Sequence, residues 1–135
     1  MAQTQSPTNK LYAAVSTWLQ AGATGDQPNF IALEKGSMAT FDATTNAPAS
    51  EATEAGLTRA AATVTLQTTT TTNDTARSVK TFTCGGTATT VTGFEIMSTS
   101  TAGNCLGWCY FAAGIPLASG DTLACTMDIQ SKLGT

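Results

Sequence analysis

The sequence predicts a mainly β protein: an antiparallel β-sandwich of jelly-roll or Ig-like kind, carrying one N-terminal α-helix. Three observations predict it. The first is threonine, which dominates the second half of the chain; residues 63–75 read T-V-T-L-Q-T-T-T-T-T-N-D-T. Threonine is β-branched, so it favours a half-buried pleated surface. The second is a series of short alternating segments separated by Gly, Asn and Asp at spacings of roughly 8–15 residues, the rhythm of a sandwich. The third is that helical periodicity occurs convincingly in one place only, near the N-terminus.

Taken in order, residues 1–9 are polar and extended and read as an arm. Residues 10–22 read as the helix: Leu11, Val15, Trp18 and Leu19 share one helical face, Thr8 or Asn9 can cap it, and Gly22 lies just past its end. Tyr12 and Trp18 are its anchors, either against the sheet or against a neighbouring subunit. Residues 23–135 read as the sandwich domain. Residues 25–28 form a turn and 29–34 (N-F-I-A-L-E) a short strand. Residues 36–58 are a long connection rich in Ala, Thr, Asn and Ser, with room for one helical turn near 50–55. Its two acids, Glu51 and Glu54, have no His and no nucleophile for company and read as solvated surface. Connections of that length are often functional.

From residue 59 the pattern becomes regular. Residues 59–69 alternate around Val64 and Leu66, and Asn73-Asp74 signals a turn. Residues 76–84 place Val79 and Phe82 out of phase, which predicts a bulge. Gly85-Gly86 turns the chain, and 89–97 carries Val91, Phe94 and Ile96. A polar loop follows at 98–104, then an apolar strand at 105–111 and a tight connector at 114–120. In 121–130, Leu123, Cys125, Met127 and Ile129 fall on one face.

Composition narrows the chemistry. The 135 residues fit one domain with one core, and 41% hydrophobic content excludes a disordered chain. Charged residues make up 11%, net charge is −3, and there is no His. The six Lys and Arg are scattered, so no basic stripe exists for nucleic acid. No apolar run approaches the roughly 20 residues that span a bilayer, and residues 1–10 lack the apolar core of a secretion signal. The expectation is a protein made in the cytoplasm, with no catalytic residues, no cofactor, no metal and no membrane partner. An enzyme here would need Cys105 or Cys109 to act without a His base.

The four cysteines, Cys84, Cys105, Cys109 and Cys125, leave three readings open. They are buried thiols, two disulfides or cross-links to a neighbouring subunit, or a zinc site. Zinc usually takes a C-x2-C knuckle, and the spacing here is C-x3-C. If one strand runs through Cys105 and Cys109, both point the same way, about 13 Å apart, and a disulfide between them needs under about 7 Å.

Several runs together resemble small virion structural proteins of tailed bacteriophages. They are Gly56-Leu57-Thr58-Arg59, Ala62-Thr63-Val64-Thr65, Thr72-Asn73-Asp74-Thr75-Ala76, Phe82-Thr83-Cys84, Phe94-Glu95-Ile96-Met97, and the closing run Ile115-Pro116-Leu117-Ala118-Ser119-Gly120-Asp121-Thr122-Leu123. The resemblance covers about residues 29–130 and rests on strand rhythm and the L-A-S-G-D-T-L turn. There Gly120 supplies a positive φ and Asp121 bonds its own backbone. It implies a β-sandwich that decorates or cements the head shell, or belongs to a tail fibre that contacts the host surface. The aromatic N-terminal helix and the four cysteines depart from the pattern, because a phage chain folds in a reducing cytoplasm. The partners implied are the major capsid protein, other virion subunits and further copies of the chain. The candidate subunit contacts are Tyr12, Trp18, Leu19 and Trp108, together with an exposed edge strand and the arm.

Overall fold

Among the described residues, eight strands form two antiparallel sheets in the structure, a computed structural model. It describes residues 3–7 (as a backbone path), 27–39, 41–42, 44–68 and 75–130. The strands are β1 (Gln3–Pro7), β2 (Phe30–Glu34), β3 (Ala60–Ala61), β4 (Thr63–Gln67), β5 (Thr75–Thr83), β6 (Thr89–Met97), β7 (Cys105–Leu117) and β8 (Thr122–Gln130). Sheet A has the order β1-β7-β6-β2-β3 and sheet B the order β4-β5-β8. No helix occurs among the described residues. The helix expected over 10–22, with Tyr12, Trp18 and Leu19, lies outside them, as does the Asn73-Asp74 turn. The backbone of the N-terminal arm is not free: it supplies β1, with Gln3 opposite Phe111 and Pro7 opposite Gly107.

One buried cluster takes side chains from both sheets. Ile31, Leu33, Phe94 and Ile96 of sheet A join Phe82, Cys125 and Met127 of sheet B. In β8 the alternation is clean: Cys125 and Met127 are buried, Leu123 and Ile129 are half-buried, and the residues between them are exposed. Sheet A differs, because both its faces are covered. Along β2, Ile31 and Leu33 enter the shared cluster, whereas Ala32 enters a second one on the opposite face with Met38, Met97, Cys105 and Trp108.

Four local expectations need correction. The stretch 59–69 is not one strand. It breaks at Ala62, whose N–H goes to Asn29 O, so β3 stays in sheet A and β4 begins sheet B. No helical turn forms at 50–55: Glu51 bridges to Glu34, and the turn that follows closes through Leu57 N–H to Glu54 O, with Gly56 at φ 79°. The bulge expected in β5 is absent, since β5 runs in unbroken register with β8. Phe82 is buried, while Val79 lies on the other face beside exposed Thr63 and Thr126. The irregularity lies instead between β6 and β7, where residues 111–114 of β7 stand against Thr92 alone; Val91, Phe94 and Ile96 all reach the core.

The fourth concerns 114–120, where β7 continues to Leu117 in register with β6. Pro116 is tolerated because β1 pairs only as far as Phe111, so β7 is an edge strand there. The turn is confined to 118–121. Gly120 has φ 94°, Ala118 N–H donates to the Asp121 carboxylate at 2.8 Å, and Asp121 N–H returns to Ala118 O at 3.0 Å. Cys84 N–H donates to Asp121 O, and Gly120 N–H to Cys84 O. The two places where the chain crosses between sheets, after β5 and before β8, are thereby tied together.

Candidate functional site

The outer face of sheet A is the chemically dense part of the molecule. The connection after β2 folds back over it. Glu34 organises that fold: its carboxylate accepts from Lys35 N–H (3.1 Å), Gly36 N–H (2.7 Å) and Ala49 N–H (2.9 Å). Thr92, at the register shift between β6 and β7, sets its hydroxyl 2.6 Å from Gly36 O and 3.0 Å from Glu34 O. Met38 then drops onto Gly93, where a Cβ would collide with Met38 Sδ and with the β7 backbone. Glycine at 93 is therefore a requirement of close approach.

Aromatic rings complete this face. Trp108 stacks on Tyr110 with centroids 5.8 Å apart, and Phe41 meets Trp108 edge to face at 6.1 Å. Between the connection and the rings lies a cleft of about 450 Å³, lined among others by Met38, Phe41, Trp108 and Tyr110. Its lining is mainly apolar, with backbone and the Ser37 and Thr92 hydroxyls at hand.

Beneath this cover, Glu95 lies opposite Ala32 on one side and Trp108 on the other, and it is fully buried. Neither of its carboxyl oxygens, nor Trp108 Nε1, makes a hydrogen bond of ordinary geometry. Burial pushes the Glu95 carboxyl up to about 9, and the charge of Glu34 and its pull on the Glu95 proton add to the shift. Because that acceptor contact falls short of a full hydrogen bond, burial is the cause to weigh most. Glu51 adds further and Arg59 opposes. At neutral pH Glu95 is a neutral acid.

Arg59 closes one end of this face. Its guanidinium grips Glu51 through two hydrogen bonds, at 3.0 and 2.6 Å, and reaches Thr99 O and Ala102 O in the 98–104 loop. Glu54 holds Lys35 at 2.9 Å. Glu51 and Glu54, expected as solvated surface, are thus both ion-paired, and Glu51 clamps the loop through an arginine side chain only 7% exposed.

The four cysteines are buried at 1% exposure or less, and no disulfide joins them. A cross-link to a neighbouring subunit would first require one of these buried thiols to reach the surface. Cys84, Cys109 and Cys125 share the main core, whereas Cys105 lies in the outer cluster of sheet A. Cys105 and Cys109 do not point the same way, because a register shift between Ile96 and Met97 leaves Leu106 as an extra residue and reverses the phase. Burial pushes Cys105 and Cys125 up to about 12; Glu95, ionised once the pH passes about 9, adds at Cys105, and the nearness of Cys109 adds at Cys125. No cluster of three or more metal-ligating side chains occurs among the described residues.

Trp108, named as a candidate subunit contact, is 6% exposed, packs between Phe41 and Tyr110 and forms a wall of the cleft. Sequence reasoning missed Glu34 and Glu95. The signal was present: each is a lone acid inside an apolar strand, I-A-L-E and F-E-I-M. Neither a protein-family model nor a curated protein sequence matches this chain.

Proposed function

We propose that this chain is a non-enzymatic virion structural protein of a tailed phage, a β-sandwich subunit that decorates or cements the head shell. The observation that carries the reading is the outer face of sheet B. Thr63, Thr65, Thr81, Thr83, Thr122 and Thr126 are exposed there. Its Arg77 and Asp128 cancel one another through two hydrogen bonds of 2.7 Å. A surface that is wet by hydroxyls and electrically neutral can be covered by a neighbour without stranding a charge. Many weak contacts of this kind add up on a shell of many copies. The buried carboxyls support a passive role, since Glu34 and Glu95 have no surface a substrate could reach.

The partners on this reading are the major capsid protein, other virion subunits and further copies of the chain, with neither nucleic acid nor membrane. The protein is made in the host cytoplasm and used in the particle. A second reading, a tail-fibre or receptor-binding module, is favoured by the aromatic cleft around Phe41, Trp108 and Tyr110, since rings of this kind suit a sugar or peptide on the host surface.

The test is mass spectrometry of purified particles from the chain's source, with heads separated from tails. The chain is expected in the head fraction in many copies. Recovery in tails alone would favour the second reading, and absence from both fractions would overturn both.

A further inference from the structure

We infer that β4 pairs edge to edge with the β4 of a second copy of this chain, about a twofold axis through Thr65. The inference rests on the reading of the chain as a repeated structural subunit, for which another copy is the partner at hand. Sheet B ends at β4, whose far edge has no partner among the described strands. Natural sheets blunt such edges with charge, proline, a bulge or shortness. The other edges among the described strands are blunted: β3 is two residues long, β1 ends in Pro7, the stretch of β7 beyond β1 carries Pro116, and β8 carries Asp128. By contrast, the run 60–72 has no charge and no proline, and β4 meets β5 in unbroken register.

The exposed large apolar side chains among the described residues are Val64, at 38%, and Leu66, at 63%, and both lie on this edge. They share a face with Ser78 and Ala76, and so with Met127 and Ile129. At β4 that face overhangs the core and is open.

The five residues T-V-T-L-Q are matched to their own reverse. In an antiparallel pair centred on Thr65, all five positions overlap. Val64 then faces the partner's Leu66, Leu66 the partner's Val64, Thr63 the partner's Gln67, and Thr65 its own copy. Apolar meets apolar and polar meets polar in the register of greatest overlap, and a one-residue slip would lose both. No like charges meet, since Arg77 and Asp128 in the neighbouring strands already neutralise each other. The result is a six-stranded sheet in which both β4 edges are satisfied, the isologous arrangement that a twofold dimer requires.

The test is sedimentation equilibrium of the full chain under reducing conditions, as wild type and as Leu66→Lys, a substitution at a site exposed enough to leave the fold intact. Wild type is expected to dimerise. Leu66→Lys should raise the dimer dissociation constant by roughly a hundredfold, because the twofold places the change in the interface twice. Thr65→Cys, oxidised in the native state, should give a disulfide-linked dimer, while the four buried native thiols give none. A wild type that is monomeric at every concentration, or an assembly unmoved by Leu66→Lys, would overturn the inference; so would a Thr65→Cys chain that stays uncross-linked where wild type is dimeric. None of these results changes whether the chain is found in particles, so the dimer and the virion reading fail separately.

Discussion

The two sheets of this protein use one side chain chemistry inside and two different ones outside. Sheet B is mainly apolar on its inner face, where Ser78 and Lys80 are the exceptions, and hydroxyl-rich on its outer face. Sheet A is buried on both faces: β6 is almost continuously covered from Val91 to Met97, and β7 from Cys105 to Cys109. The difference teaches where defects are tolerated. A strand wetted on one side can hold any polar residue there at little cost. A strand covered on both sides must neutralise whatever polar group it contains, and Glu95 does so by keeping its proton.

The comparison can be broken most forcefully at the shared core. Phe82→Ala removes a ring from the place where both sheets meet, and it should cost about 3–5 kcal/mol of unfolding free energy in urea titrations. Next comes the buried acid. Glu95 is protonated in the folded chain up to about pH 9, whereas in the unfolded chain it ionises near its ordinary 4.5. Its contribution is therefore fully present below about pH 4.5 and is lost as pH rises toward 9, with a slope approaching about 1.4 kcal/mol per pH unit. Glu95→Gln should flatten that slope. It should match wild type near pH 4 and exceed it at pH 7 by a margin on the order of 3 kcal/mol. Parallel pH profiles of the two proteins would show no divergence if Glu95 were ionised in the fold.

Gly93→Ala tests the cover itself. The added methyl meets Met38 and the β7 backbone, and overpacking of this kind should cost about 1–3 kcal/mol, together with a change in tryptophan emission as the connection lifts from Trp108. The smallest effect belongs to sheet B. Asp128→Asn breaks the pair with Arg77, whose side chains are 40% and 37% exposed. The urea midpoint should shift least of the four, and moderate salt should erase the difference.

The same contrast explains what could be read from the residues alone. Residues 122–130 were legible because one wet face prints its parity into the sequence: Leu123, Cys125, Met127 and Ile129 alternate with polar neighbours. The Ala118–Asp121 turn was legible because glycine and aspartate each have a specific backbone task there. In 105–109 every residue is buried, so no alternation remains to reveal that Leu106 is an extra residue and that Cys105 and Cys109 face opposite ways. In 59–69 the move from sheet A to sheet B takes place at a single alanine and leaves no turn signal. The candidate site was hidden for a related reason. A glutamate reads as surface until its strand is known to be covered on both sides, and for β2 and β6 the cover is supplied by residues as ordinary as Met38 and Phe41.

The pairing of β1 has a consequence for biosynthesis. Gln3 and Phe111 lie opposite one another, so one edge of sheet A joins a segment to one that leaves the ribosome much later. Ordering so distant a pair requires closing a loop that contains most of the chain, and topologies dominated by such pairings form slowly. β1 must wait for β7 to emerge, and until it docks, the backbone of residues 107–111 stands open to other chains. Wherever several ribosomes translate one message, neighbouring nascent chains share that exposure until β1 docks.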